Sequence, residues 1–356
     1  MESKKCLKCC GLFFIIFMGL FVSLLLGFNM ENALDDVAAD DNALVIFNHP
    51  RRYNVDDDFY IDFLEKHPDM ILGLEVINKG STSLEDRDLW DRLNARLSPD
   101  SLIWGFSNDD SHRPSQLFKA YQHMLMPELT EEALRGSMIS GAFYFSVEPN
   151  GDDKTCDFYG VAMTPNITDV SINNQVISVT GEGYDTIEWY NNGTEIIHNE
   201  TSIDVSVIDS NFVRVILTNE YGITYSQPFG LAGDVIYNPY DAVNWDLWDH
   251  YKANFHTHTT ESDGEESPAK VIDRYHEAGY KILAITDHNM NTWPWSHWID
   301  HEPETPSRSA EYYPGLDMLA VSGNEPSLSH HFNTFFTPYA GFALDLQFQI
   351  ENLLAG

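Results

Sequence analysis

Residues 253–264 read ANFHTHTTESDG, a stretch that begins as a strand and continues as a polar loop. Two histidines, His256 and His258, stand two positions apart, and Asp263 follows just before a glycine. Because residues two apart in a strand point to the same face, the two imidazoles can bind one ion together. Imidazole and carboxylate groups are ligands of zinc, manganese and iron. For this stretch alone, the alternative is a polar loop with two unrelated histidines.

Other predicted strands also end in side chains that bind metals. A single histidine after a strand is usually a hydrogen-bonded surface residue, whereas ligand types at successive strand ends indicate a site like those at the carboxyl ends of barrel strands. The apolar runs KILAITDHN, DMLAVSGNEPS, NALVIFNHP and SLIWGFSNDDSH, together with the segment SHHFN, supply Asp287, His288, Glu325, His330, His331, His49, Asp110 and His112.

The composition limits the classes of partner. The chain has 356 residues and a formal charge of −35, from 55 acidic and 20 basic residues. A nucleic-acid-binding protein would present a basic face, so this charge argues against a nucleic-acid surface and against docking on anionic lipid. The acidity is typical of a soluble surface in salty or extracellular surroundings, and bound metal would neutralise part of it.

The amino-terminal segment is predicted to be a membrane anchor. Residues 11–30 are uncharged and long enough to span a bilayer as a helix. The preceding lysines place the amino terminus in the cytoplasm and the rest of the chain outside it. A cleaved signal peptide, which would make the protein secreted, is the alternative to this uncleaved anchor at residues 1–30. Residues 31–41 are acidic and small and predict a linker.

Three segments follow the linker. In residues 42–148 and again in residues 245–356, apolar strands alternate with helical patterns, which predicts parallel βα units. Residues 150–236 instead show short alternating strands and turn dipeptides. This middle segment resembles an immunoglobulin-like β-sandwich without its cysteine pair. A structural or adhesive role is expected for it.

The motifs HTHTTESDG, AITDHN, GNE, HFN, NHP and DSH together resemble the polymerase-and-histidinol-phosphatase (PHP) family of metal-dependent phosphoesterases. The resemblance covers residues 41–148 and 245–356. It implies a distorted (β/α)7 barrel with a two- or three-metal centre at the carboxyl ends of the strands. His331 is preferred to His330 because the family motif reads His, any residue, Asn. The ligands that the resemblance implies are His256, His258, Asp263, His288, Glu325, His331, His49, Asp110 and His112.

The motif order departs from that family. HTH comes first and DSH last in the family, whereas here residues 42–148 match the carboxyl-terminal half of the barrel and residues 245–356 the amino-terminal half. We therefore expect an α/β fold in which a circularly permuted PHP barrel carries an inserted β-sandwich and an N-terminal transmembrane helix. The alternative is a fragment of tandem repeats, in which each half needs another copy.

The expected activity is hydrolysis of a phosphate ester by a metal-bound hydroxide, with two to three zinc, manganese or iron ions and a small phosphorylated substrate. Asp287 is a candidate for orienting a ligand imidazole. Either Arg51 or Arg52 is a candidate for binding the substrate phosphate, the alternative being that both are ordinary surface residues. An inactive, metal-stabilised surface binding module and a hydrolase of a non-phosphate bond are the alternative functions.

Overall fold

The computed structural model describes residues 30–81, 84–148, 164–292, 295, 317–327 and 329–339, which contain five α-helices and nineteen β-strands. The helices are α1 (Met30–Val37), α2 (Asp57–Lys66), α3 (Glu85–Leu97), α4 (Glu131–Ser140) and α5 (Pro268–Glu277). The first strands are β1 (Leu44–Phe47), β2 (Ile71–Asn78), β3 (Trp104–Asn108), β4 (Ala120–Met126) and β5 (Phe143–Val147). The middle strands are β6 (Asn166–Asn173), β7 (Val176–Glu182), β8 (Thr186–Asn191), β9 (Thr194–His198), β10 (Ser202–Asp204), β11 (Phe212–Thr218), β12 (Ile223–Tyr225), β13 (Phe229–Ala232) and β14 (Val235–Tyr237). The last strands are β15 (Asp249–Asn254), β16 (Ile282–Ala284), β17 (Leu319–Val321), β18 (Gly323–Asn324) and β19 (Phe332–Phe335).

The described strands form three sheets. A five-stranded sheet has the order β18-β19-β1-β2-β3, with β1, β2 and β3 parallel and β19 antiparallel to β1. A long sheet runs β14-β13-β11-β12-β5-β4-β15-β16-β17, and β8 and β9 extend it from β11. Its last three strands are parallel, whereas β4 is antiparallel to both β5 and β15. Strands β10, β7 and β6 form the third sheet.

Strand β1 lies between two apolar cores. Its side chains alternate, as the pleat of a strand requires. Val45 and Phe47 face a core shared with α1, α2 and α3. Leu44 and Ile46 face a second core that includes Ala253 and other residues of the long sheet. Each fully buried apolar side chain stabilises the fold by about 1.5–3 kcal/mol, so this packing firmly places the carboxyl end of β1, where the candidate site begins.

Part of the predicted linker is a helix. Helix α1 buries its apolar residues at i, i+3, i+4 and i+7, which are Met30, Ala33, Leu34 and Val37. This spacing puts them on one face of the helix, which packs against the core behind β1. The acidic residues on the opposite face, which suggested a linker, include Glu31 and Asp35; both pair with Lys66 of α2.

The expected (β/α)7 barrel, permuted or otherwise, is wrong. The strands divide among mixed sheets, and the β3–β4 connection contains no α-helix. The decisive difference follows α4, where the strand-helix-strand pattern predicted a parallel return. The helix instead ends at Gly141 in the left-handed conformation (φ 75°), and β5 returns antiparallel beside β4. Local periodicity identifies a strand but not its direction, because direction depends on which distant strand it pairs with.

The predicted membrane anchor is also not supported. No helix within the described residues is long and apolar enough to cross a membrane. Of the predicted anchor at residues 1–30, residues 1–29 lie outside the described residues. The structure therefore gives no basis for attachment by a transmembrane segment, or for the location outside the cytoplasm that was inferred from it.

The middle of the chain forms only strands and one turn of 3-10 helix between Asn166 and Tyr237. It is joined tightly to the rest of the molecule, because β12 pairs with β5 within the long sheet. The Gln227 side chain bonds both the N–H and the carbonyl of Gly105 on β3. Arg214 makes two buried hydrogen bonds, of 2.7 and 2.8 Å, to Asp91 on α3. The strand-only region thus supports one side of the sheet that carries β3.

Candidate metal centre

The structure brings all nine predicted ligands together. They come from both sides of the strand-only region, so one chain supplies the whole cluster. Most follow the carboxyl ends of parallel strands, where side chains from neighbouring strands converge. His49 follows β1, Asp110 and His112 follow β3, His256, His258 and Asp263 follow β15, His288 follows β16, Glu325 follows β18, and His331 precedes β19.

Backbone hydrogen bonds join the two loops that carry most of the ligands. The N–H of Asp110 donates to the His256 carbonyl at 2.8 Å, and the N–H of His258 donates to the Ser111 carbonyl at 2.9 Å. His49 and Asp110 both have left-handed backbone conformations, with φ of 31° and 43°. Such conformations cost on the order of 1–3 kcal/mol in residues other than glycine, and they concentrate at functional sites.

Glu325 lies at the centre of the imidazoles and is fully buried. Its Oε1 is 3.2 Å from Nε2 of His49 and 3.1 Å from Nδ1 of His331. Its Oε2 contacts three more imidazole nitrogens at 2.9, 3.3 and 3.3 Å, those of His288, His256 and His258. One carboxylate therefore connects ligands from four strand ends.

Two further carboxylates complete the cluster. Oδ1 of Asp110 is 3.3 Å from Nε2 of His258 and 3.4 Å from Nδ1 of His112. Asp263 is about half exposed and reaches in from the rim, 3.4 Å from Nε2 of His112 and 3.8 Å from Nε2 of His288. The site therefore has a buried floor and an open edge at Asp263.

The ligands form three adjacent groups, and the potential ligand atoms within each group lie within 4.8 Å of one another. Several of these groups could hold a metal ion, and mixed imidazole and carboxylate donors suit zinc, manganese and iron. Nδ1 of His49 and Nδ1 of His258 are buried without a hydrogen-bond partner among the described residues. Buried polar atoms are normally satisfied, so these atoms fit a bound cation. The groups are His112, His258, Asp263 and His288; His49, Glu325 and His331; and Asp110, His256 and His258.

The electrostatics of the cluster favour charged carboxylates. Although burial alone would raise it, the surrounding imidazoles hold the pKa of Glu325 well below its usual range. The pKa of Asp110 is also well below its usual range, because His256 and His258 outweigh the effect of burial. Burial would lower the pKa of His258, yet Asp110 and Glu325 raise it to about 9. Acids and imidazoles therefore stabilise each other's charged forms, and a divalent cation must displace imidazole protons to bind.

Glu75 is a site residue that the sequence patterns did not identify. It is fully buried within β2, and its Oε1 lies 2.7 Å from Nδ1 of His256. Its Oε2 accepts the backbone N–H of His49 at 2.9 Å. Glu75 thus orients one imidazole and fixes the strained backbone of another ligand. The available signal was a carboxylate in the middle of the apolar run MILGLEVIN.

Asp287 has a different role from the one predicted. Among its described contacts there is no imidazole; its carboxylate accepts from the N–H and hydroxyl of Thr259, both at 2.7 Å. The hydroxyls of Ser262 and Thr292 each donate to it at 2.6 Å. These bonds fix the loop that leads to Asp263, so Asp287 positions a ligand by holding its backbone. The orienting contact at His288 comes from the Ser327 hydroxyl, 2.5 Å from Nδ1.

The two arginines lie in different surroundings. Arg51 is held by Asp86, through its backbone N–H and Nη1, and by the Ser81 hydroxyl. Arg52 points towards the cluster, with Nη2 3.2 Å from Oδ2 of Asp110. Of the two candidates for phosphate binding, Arg52 is therefore the one beside the predicted ligands.

His330 and His331, which are adjacent in the sequence, have different surroundings in the structure. His331 contacts Glu325, whereas the ring of His330 lies between Tyr53 and Phe59, with centroid distances of 4.3 Å to each. Burial lowers the pKa of His330 and favours its neutral form. His330 therefore packs as an aromatic residue at the rim beside the ligand.

Together, the fold and this cluster describe a mainly β-sheet protein, with five α-helices among the described residues and a buried centre of imidazoles and carboxylates suited to metal ions. Comparisons with protein-family models, with curated proteins and with solved structures found no match for this chain.

Proposed function

We propose that this protein is a metal-dependent phosphoesterase. The observation that supports this best is the sharing of ligands: His258 belongs to two ligand groups, and Glu325 contacts imidazoles from all three. Shared ligands favour a centre of about two to three ions over a single structural ion. The resemblance of HTHTTESDG and AITDHN to the motifs of PHP phosphoesterases supports the same reading.

The described residues suit this chemistry in distinct ways. Divalent ions lower the pKa of bound water and offset the negative charge of a phosphate ester. Glu75 and Ser327 hold the rings of His256 and His288 in fixed orientations. Asp287 holds the loop of residues 259–263, which leads to Asp263, in place. A rigid arrangement of this kind lowers the reorganisation that the reaction requires.

The test uses the full-length protein, stripped with a chelator and reloaded separately with zinc, manganese or iron. We expect metal-dependent release of 4-nitrophenol from 4-nitrophenyl phosphate or its bis-ester. His258→Ala should remove metal and activity together, because this imidazole serves two ligand groups. His276→Ala, on α5 and outside every ligand group among the described residues, is the matched control and should change neither.

Product analysis decides between this proposal and the other functions. Turnover of a non-phosphate substrate, with release of an amine or carboxylate and no action on either phosphate ester, would contradict the phosphoesterase. Bound metal without turnover of any ester would favour a metal-stabilised binding module. Retention of full metal content by His258→Ala would contradict the ligand assignment itself.

A further inference from the structure

Two basic side chains meet on one oxygen at the edge of the metal cluster. Nη2 of Arg52 and Nζ of Lys79 each lie 3.2 Å from Oδ2 of Asp110. The Asn78 amide donates to the same oxygen at 3.1 Å. The other oxygen of Asp110 faces the imidazoles of His256 and His258. Asp110 therefore has one face towards the ligands and one towards a pair of cations.

This pair has more positive charge than Asp110 can neutralise. One carboxylate faces two full cations in addition to two imidazoles. Within the described residues, neither Arg52 nor Lys79 has a second charged or hydrogen-bonding side-chain partner. Their side chains are 43% and 28% exposed, so both remain open to solvent at the rim. An arginine carries five donors and a lysine three, which leaves most of their donors free for an anion.

The backbone at Lys79 adds a second observation. Lys79 has φ 56° and is followed by Gly80 with φ 68°, so the chain turns through two left-handed residues directly after β2. Glycine or asparagine adopts this conformation at lower cost than lysine. A strained residue at the edge of a site is a reason to ask what its side chain does there. Here the turn directs a lysine to the oxygen that Arg52 also contacts.

We propose that Arg52 and Lys79 form an anion subsite that binds the terminal oxygens of a phosphomonoester, making the protein a monoesterase. This inference rests on the proposed phosphoesterase function. A phosphomonoester carries about −1.5 to −2 charges near neutral pH and presents three terminal oxygens. A diester has one terminal oxygen fewer and less negative charge. Two cations beside the metal cluster therefore match the monoester better.

The two residues are expected to contribute differently. Arg52 offers a planar pair of donors that matches two phosphate oxygens, whereas Lys79 offers a point charge that tolerates several orientations. Both touch the substrate in this proposal, and Asp110 holds them in place between turnovers. Arg51, which is bound to Asp86 and Ser81, has no part in the subsite.

The first experiment titrates inorganic phosphate into the metal-loaded, full-length protein by calorimetry. Lys79→Ala should weaken phosphate binding by about tenfold to a hundredfold, the usual effect of losing a charged hydrogen bond. Lys79→Arg should recover part of the loss. Lys281→Ala is the matched control, because Lys281 also pairs with a single aspartate, Asp317, and lies away from the cluster. Metal content should be unchanged in all three variants.

The second experiment compares kinetics on 4-nitrophenyl phosphate and its bis-ester. The wild type should prefer the monoester. Lys79→Ala should raise KM for the monoester by about tenfold to a hundredfold, as it does for phosphate binding, and should change KM for the diester less than about threefold. A wild type that prefers the diester overturns the subsite while leaving the phosphoesterase function intact. Equal losses on both esters, loss of metal, or unchanged phosphate affinity in Lys79→Ala also overturn it. If neither ester is hydrolysed, the proposed function fails, and the phosphate titration alone decides whether the subsite exists.

Discussion

Replacing Glu325 by glutamine removes one negative charge from the centre of the cluster with almost no change in shape. The two carboxylate oxygens lie 2.9–3.3 Å from imidazole nitrogens of five histidines. At a separation of about 4 Å and an effective dielectric constant of about 20, two unit charges interact by about 4 kcal/mol. Because the bound ions are divalent in our proposal, this energy is a lower bound for the attraction between Glu325 and the ions that Glu325→Gln removes. We therefore expect metal affinity to fall at least about a thousandfold.

The assay is competition between the protein and a chromophoric chelator, followed by elemental analysis after dialysis. Glu148→Gln is the matched control, since Glu148 is half-buried, accepts a hydrogen bond from the Tyr121 hydroxyl at 3.0 Å and belongs to no ligand group among the described residues. We expect this control to retain the metal content and affinity of the wild type. Near-ultraviolet circular dichroism checks that Glu325→Gln keeps its tertiary packing. A Glu325→Gln protein with affinity within tenfold of the wild type, or an equal loss in Glu148→Gln, would refute the central position assigned to Glu325.

Three further predictions concern the surroundings of the site. Burial raises the pKa of Asp86 from 3.8 to about 6, so its carboxyl stabilises the folded state below pH 4, and that contribution is lost as the pH rises through 6. Between pH 4 and 7, the Asp86→Asn protein should therefore lose up to about 3 kcal/mol less stability than the wild type, measured by urea unfolding. Parallel pH profiles for the two proteins would contradict this. Asp287→Asn replaces an acceptor of four hydrogen bonds and should lower metal affinity about tenfold to a hundredfold in the same chelator assay. Unchanged affinity would show that the loop of residues 259–263 is held in another way. Asp91→Ala leaves the buried Arg214 without its carboxylate and should destabilise the fold by about 3–5 kcal/mol in thermal or urea unfolding. The double replacement of Asp91→Leu with Arg214→Met should recover most of this stability. If the single and double variants lose equal stability, an unpaired charge is not the cause.

Much of the site could be predicted from the sequence because its chemistry is local. Histidines directly after apolar runs, as in AITDHN and NALVIFNHP, stand out at the ends of strands whatever sheet those strands join. Glu75 and Lys79 were missed for a physical reason. Glu75 lies within an apolar strand, where a charged residue gives no periodic signal, and Lys79 gains its role from a backbone turn and a contact with Asp110.

The fold was harder to predict because it depends on pairing between distant segments. The alternation of strands and helices is present, but β5 pairs antiparallel with both β4 and β12. Strand β19 likewise runs antiparallel beside β1, although His331 at its start still reaches Glu325. The ligands meet because strand ends from two sheets face each other, and that arrangement does not require a closed barrel.

The most direct test of the proposed metal centre is the number of metal ions bound per chain in the purified full-length protein, measured by elemental analysis against protein concentration. Three adjacent ligand groups, two of which share His258, predict about two to three tightly bound divalent ions, lost together on chelation. A content of one ion or none, under conditions in which zinc, manganese and iron are all supplied, would contradict the centre proposed here.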